Sequence, residues 1–335
     1  MDRKRTLAAV LAMILLIVGG CGSSSDETGR QNVSDLKPEE GKNLYVIATV
    51  LSGLNYFDAC KKAMETVEAE MNVTTAFVGP EDYNLEELIS MIKELTDSGN
   101  AYGLILPGWE DALVPSINRA VESGMYVCTV SQDHPDSERM MYVGQDNYAV
   151  GIRMAELIRE RYHDRANIVV MRSMSQTNTA ERMRGMESVL GSSPDITLIA
   201  DIDTKNDMDI ARQKAAALDT SYPDADVIIA ADGISSAALA KEYSRSGDAP
   251  LVLCTDGDPA VLEAVRKGKV DDTLVENAAL DIYLAISEGE RRCSSGLQLS
   301  ADDKAAGVQL GISYIDTGFT IVNKENIDYY FENAG

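Results

Sequence analysis

Short apolar runs alternate with longer stretches of helical periodicity along most of this chain, beginning at Leu44. Leu44–Val50 (LYVIATV) is continuously apolar over strand length, the pattern of a parallel strand covered on both faces. A helix follows through SGLNYFDA to about Met71. The cycle then repeats with strand Thr74–Val78, helix Leu85–Leu95, strand Gly103–Leu106, helix Leu113–Glu122 and strand Tyr126–Val130. A second run predicts strands at Ile168–Met171, Thr197–Ile202, Val227–Ala230, Leu251–Cys254 and Val270–Val275. Its helices are expected at Thr179–Leu190, Met208–Leu218, Ile234–Tyr243, Ala260–Arg266 and Ala278–Glu288. Regular β-α alternation with short connections predicts an α/β protein built on doubly wound parallel sheets. Val308–Ile321 reads as two short strands, and Asn323-Lys324-Glu325-Asn326 as the start of a terminal helix.

Between the two runs lies Tyr142–Gly151, YVGQDNYAVG. A strand-like lead passes through Gly144 and Gln145 into Asp146-Asn147, after which Ala149, Val150, Ala155, Leu157 and Ile158 share a helical side. An Asp ahead of a helix accepts its orphan N–H groups, so Asp146 is expected as an N-cap and this segment as a hinge between two similar lobes.

The N-terminus changes the picture of where the chain works. Arg3-Lys4-Arg5, a twelve-residue apolar run from Leu7 to Val18 and Gly19-Gly20-Cys21 are the parts of an export signal. The run is too short to span a bilayer core, which takes about 20 helical residues. Cys21 after two glycines resembles a bacterial lipoprotein signal, so residues 1–20 are expected as a cleaved signal peptide and Cys21 as the lipidated end. Residues 21–42 are polar, lack aromatics and read as a flexible tether.

The formal charge is −24, and loss of residues 1–20 removes three basic and one acidic group to leave −26. That balance argues against nucleic acid and anionic membrane surfaces as partners. Cys128 and Cys254 fall in apolar strands, Cys60 in the first helix and Cys293 past a helix end, and free thiols are favoured over disulfides. With His134 and His163 as the only histidines, metal and triad chemistry lack raw material, and no metal or cofactor is expected. Asp201–Asp209 (DIDTKNDMD) imitates a calcium loop, but Lys205 fills a ligand position, Asn206 replaces the glycine and no Glu closes it.

The run Thr129–Ile158 resembles the central segment of extracytoplasmic sugar-binding proteins of the ribose/galactose type, the periplasmic binding proteins of type I that feed ABC importers. The resemblance rests on Asp133, Ser137-Glu138-Arg139, Gly144, Asp146-Asn147 and Gly151, and extends weakly from about Leu44 onward. It implies two doubly wound parallel-sheet lobes joined by a three-segment hinge, with crossings near Gln145–Asp146, Glu276–Asn277 and Asp316. The lobes would be residues 43–145 plus 277–315 and residues 146–276 plus 316–335.

Ligands in open parallel sheets bind beyond the carboxyl ends of the strands, and residues just after each strand are therefore the site candidates. Tyr56 and Phe57 follow the first strand and suit stacking on a sugar face, with Phe57 equally placed to pack its helix. Trp109, the single tryptophan, is either a platform for an apolar sugar face or packing for a neighbouring helix. Gln132 and Asp133 follow the fourth strand. Asp133 can accept from adjacent hydroxyls or serve as a structural cap, and Ser131 stands where the family often has Asp. In TAERMRG, Arg184 resembles the family's ring-directed guanidinium, with Arg182 as the solvent-facing alternative. Asp256-Gly257 matches the family's Asp-Gly, against a simple turn or a helix N-cap. Gln145 and Glu276 sit at two crossings, Glu276 where sugar receptors commonly have an amide. Ala231 replaces an amide common in the family, and Asp232 is expected to cap the following helix.

These features imply a lipid-anchored solute receptor, expected as a monomer, which delivers a sugar-like ligand to ABC permease subunits. A sensor presenting its bound form to a membrane histidine kinase or chemoreceptor is the alternative. An enzyme using Asp133, Asp256 and Glu276 as a carboxylate set lacks an obvious acid/base pairing, and the export signal excludes a cytoplasmic regulator.

Overall fold

The computed structural model describes residues 31–50, 56–81, 83–163, 165–244, 250–294, 300, 306 and 311–332, without the side chains of 56, 57, 293 and 294. The first sheet takes β1 (Asn43–Ala48), β2 (Val73–Val78), β3 (Gly103–Leu106), β4 (Tyr126–Val130), β5 (Met141–Gly144) and β11 (Tyr314–Asp316). Its order is β11-β5-β4-β3-β1-β2, parallel throughout. The second takes β6 (Arg165–Arg172), β7 (Asp195–Asp203), β8 (Val227–Ala230), β9 (Leu251–Thr255), β10 (Asp272–Val275) and β12 (Thr320–Asn323). Its order is β12-β10-β9-β8-β6-β7, with only β12 antiparallel. Strand order reverses beside β1 in one sheet and beside β6 in the other, the switch points where such sheets open a crevice.

The inner strands are apolar because helices cover both faces, whereas the edge strands β7, β11 and β12 are partly exposed. In the first sheet Val46, Leu104 and Leu106 pack under α2 (Leu85–Ser98) and α3 (Val114–Glu122). Tyr45, Ile47 and Ile105 face α1 (Tyr56–Glu70) and α10 (Ala278–Ser294). In the second sheet, α4 (Asn147–Tyr162) and α5 (Thr177–Leu190) cover one face. The other lies under α6 (Met208–Ala216), α7 (Leu218–Ser221), α8 (Gly233–Glu242) and α9 (Pro259–Arg266), with α11 (Asp328–Glu332) at its edge. The expected helix Met208–Leu218 is broken at Ala217, and the terminal helix starts at Asp328 because β12 and a turn use Asn323–Ile327.

The chain passes between the sheets three times: from β5 into α4, from β10 into α10, and from β11 into β12. Helix α10 runs back onto α1 and β5, returning the chain to the first sheet. The crossings are bonded to one another. Asp146 N–H donates to Asp316 Oδ1 at 3.2 Å, Thr317 N–H donates to Gly144 O at 3.1 Å, and Gln145 Nε2 donates to Glu276 Oε2 at 2.9 Å.

The segment expected as a tether is folded in its second half. Val33 and Leu36 are buried in the first core, and Asn100 Nδ2 donates to Leu36 O at 3.1 Å. Two apolar side chains in an otherwise polar stretch are enough to dock it. Cys21 and residues 22–30 lie outside the described residues. Cys60, Cys128 and Cys254 are buried free thiols. Burial pushes Cys128 and Cys254 up to about 12, so both stay protonated and inert. Among the described residues no helix is long and apolar enough to cross a membrane.

Candidate ligand-binding site

A cavity of about 1100 Å³ opens between the carboxyl ends of the two sheets, against the crossings. Two strand ends that form it carry left-handed backbone at non-glycine residues, Ser131 after β4 (φ 59°) and Asp256 after β9 (φ 110°). Such conformations are costly and cluster at ligand clamps, and here there is one in each lobe.

The guanidinium in the cavity belongs to Arg182, which is 4% exposed. Its Nε donates to Asn147 Oδ1 at 2.9 Å, and its Nη1 donates to Ala231 O at 2.7 Å and Thr255 Oγ1 at 3.1 Å. None of these bonds uses Nη2. The buried stripe of α5 is Asn178, Thr179, Arg182, Gly185, Met186 and Leu190, which puts Arg182 on the sheet side. Arg184, two residues on, faces solvent with its side chain 66% exposed. It pairs with Glu181 at 2.6 Å and lies over the Tyr148 ring at 5.6 Å. The expected assignment between the two arginines is thus reversed, because Met186 and Leu190 share the face of Arg182.

The hinge motif fixes this arrangement. Asp146 caps α4 by accepting from Ala149 N at 3.0 Å, and Asn147 Nδ2 donates to Ser131 O at 3.1 Å. A Cβ at Gly151 would collide with the Arg182 carbonyl oxygen, and one at Gly185 with that of Tyr148, so reciprocal glycines let α4 and α5 touch backbone to backbone.

Asp133 is also displaced from its expected place. It does not line the cavity, and instead grips Arg139 through both carboxylate oxygens while accepting from Thr129 Oγ1 at 2.9 Å and His134 N at 2.8 Å. The turn at Ser131 carries the chain back toward the body of the lobe, where a carboxylate meets Arg139 of the Ser-x-Arg run. Gln132, Gln145, Asp256, Glu276 and Trp109 do line the cavity. Trp109 is 6% exposed and packs into the first core as well, with Tyr83 beside it at 6.4 Å. Tyr56 and Phe57 open α1 close to the cavity, which Ala59 lines, but their side chains lie outside the described residues. Asp232 caps α8 through Ser235 N and accepts from Ser173 N at 2.7 Å. Asn178 and Gln176, which sequence reasoning missed, line the cavity from the start of α5.

The electrostatics are acidic. Burial, with repulsion from Glu276, raises the Asp256 carboxyl to about 7 against the pull of Gly257 N–H and Arg182. Burial, with repulsion from Asp281, likewise raises Glu276 to about 7. Asp281 lies fully buried in the first turn of α10 and is raised to about 6 by burial. At the mouth, the lobes touch through Ser175 Oγ to Glu110 Oε1 (2.8 Å), Thr177 Oγ1 to Gly108 O (3.2 Å) and Thr177 N to Trp109 O (3.3 Å). The arrangement offers fixed hydrogen-bond donors and acceptors and an aromatic wall. Among the described residues no cluster of His, Cys, Asp or Glu has metal-binding geometry.

The periplasmic binding protein domain matches residues 45–289 of this chain. The chain belongs to the periplasmic binding protein family. Members are extracytoplasmic binding proteins that do no bond chemistry. A xylitol-binding protein of Mycolicibacterium smegmatis is 24% identical over 293 residues, 85% of this chain and 79% of that protein. The sugar-binding protein of a sugar ABC transporter from Bacillus halodurans has a TM-score of 0.75 at 26% identity, covering 86% of this chain and 100% of its own. An ABC transporter solute-binding protein from Burkholderia graminis, solved with D-arabinose, has a TM-score of 0.75 at 22% identity, covering 87% and 98%. The last likeness speaks for the fold.

Proposed function

We propose that this periplasmic binding protein is a lipid-anchored receptor that captures a small sugar or sugar-like polyol between its lobes and delivers it to the permease subunits of an ABC importer. The observation that carries the reading is Arg182. A guanidinium held at three acceptors through Nε and Nη1 lines a cavity that Asp256, Asn178 and Gln145 also line. Fixed donors opposed by carboxylates suit vicinal hydroxyls, and Trp109 offers an apolar wall. Sugars and a sugar alcohol are named for the relatives above, which supports the class. The moving bodies would be residues 43–145 plus 277–315 and residues 146–276 plus 316–335, hinged at the bonded crossings. Cys21 would carry the lipid.

The test is a thermal-shift screen of pentoses, hexoses and sugar alcohols, followed by calorimetry on the best hit. Saturation at a hundred times Kd stabilises by about 2.7 kcal/mol, a readable rise in Tm. A flat screen across all three classes would overturn the reading.

A further inference from the structure

We infer that the cleft is built for a polyol carrying a protonated amine, an amino sugar or an aminocyclitol rather than a neutral sugar. This rests on the cleft reading above and narrows its ligand.

The charges lining the cavity do not balance. Among the described residues that line it, Arg182 is the single basic one, against Asp207, Asp209, Asp232, Asp256 and Glu276. Three of those carboxylates are accounted for elsewhere. Asp207 caps α6 through Asp209 N and Ile210 N, Asp209 is exposed, and Asp232 is saturated by Ser173 N and by the N–H and hydroxyl of Ser235. Asp256 and Glu276 remain, and no ion pair joins either of them to Arg182, whose Nε and Nη1 are committed to Asn147, Ala231 and Thr255. Asp256 accepts from the adjacent Gly257 N, and Glu276 from Gln145 Nε2.

The hydrogen-bond inventory points the same way. Because Gln145 gives its amide N–H to Glu276, its Oε1 is left without a partner although the residue is 3% exposed. The deep end of the cleft therefore presents an unused acceptor, and its two carboxyls, once ionised, would outweigh the single charge of Arg182 in a space shielded from water. A buried charge without a partner is costly, and a buried acceptor without a donor costs as well. A sugar hydroxyl donates one hydrogen and brings no charge. An ammonium donates three and brings the missing positive charge, so one group answers both deficits. The upward push on both carboxyls comes first from burial and then from acidic neighbours, and a bound ammonium would act against it by holding them ionised.

Calorimetry on the purified full chain with glucosamine and galactosamine against glucose and galactose, at about pH 7 where the amines stay mostly charged and the two carboxyls ionise, tests this. The amine of at least one pair should bind about tenfold or more tighter than its parent sugar. Glu276→Gln should bring that ratio near one, with Asp256→Asn as the second variant if the first does not fold. Equal or tighter binding of the neutral parent in both pairs, or a ratio that both variants leave intact, overturns the amine assignment and leaves the sugar-receptor reading standing. No binding by these four, by xylitol or by arabinose overturns both.

Discussion

Asn147 holds Arg182: its Oδ1 accepts the Nε–H at 2.9 Å while its Nδ2 donates to the Ser131 carbonyl at 3.1 Å. One amide in the hinge helix thus ties a strand end of the first lobe to the guanidinium of the second. Asn147→Ala should free Arg182 and weaken ligand binding about tenfold, the cost of one hydrogen bond to a charged group. Asn147→Asp should strain the Ser131 contact, since a carboxylate cannot donate. Calorimetry with the best ligand of the screen reads both.

The two arginines of α5 separate site from surface. Arg182→Lys should weaken binding about 10- to 100-fold, because an ammonium cannot reproduce the fork that spans Asn147, Ala231 and Thr255. Arg184→Ala removes an exposed i, i+3 pair with Glu181 and should leave both affinity and Tm nearly unchanged. A larger effect at Arg184 than at Arg182 in the same titrations would contradict the placement.

Stability should fall as pH rises. Asp256 and Glu276 are both raised to about 7, so the folded state favours their protonated forms more than the unfolded chain does. Their contribution is fully present below about pH 4 and is lost as pH climbs through about 7. Arg182 faces both and opposes the loss, whereas Asp258 and Asp281 add to it. With water in the open cleft, the ligand-free protein should be on the order of 2 kcal/mol less stable at pH 8 than at pH 5. Glu276→Gln should flatten that slope in melting curves taken across the range.

Close helix contact is a requirement. Gly151→Ala would drive its methyl into the Arg182 carbonyl, and Gly185→Ala into that of Tyr148, both backbone atoms that cannot swing aside. Each should cost about 1–3 kcal/mol by overpacking, read as a lower denaturant midpoint at unchanged m-value.

Anchoring has its own readout. Cys21→Ala should move the protein from the membrane fraction to the soluble fraction on cell fractionation. Mass spectrometry that found Met1 intact would contradict cleavage.

The fold was legible because the inner strands are buried on both faces. Gly103–Leu106 and Tyr126–Val130 end where their apolar runs end. The cap at Asp146 and the cap at Asp232 follow from chemistry local to a turn, which sequence carries well. Arg182 was also within reach, since Met186 and Leu190 lie four and eight residues on and fix the inward face of α5. Asp133 was not, because its loss to Arg139 depends on the left-handed turn at Ser131, a tertiary choice made by a residue that ordinarily avoids it. The docking of Val33 and Leu36 escaped composition for a similar reason: two apolar side chains vanish in an average over twenty polar neighbours.

The most direct test is a crystal structure of the complex with the ligand that gives the largest thermal shift. The account predicts that ligand between the lobes, with Arg182 Nη2 donating to it, Asp256 and Glu276 accepting from it, and Arg184 in solvent. A ligand bound outside the cavity, or inside it without touching Arg182, would contradict the account.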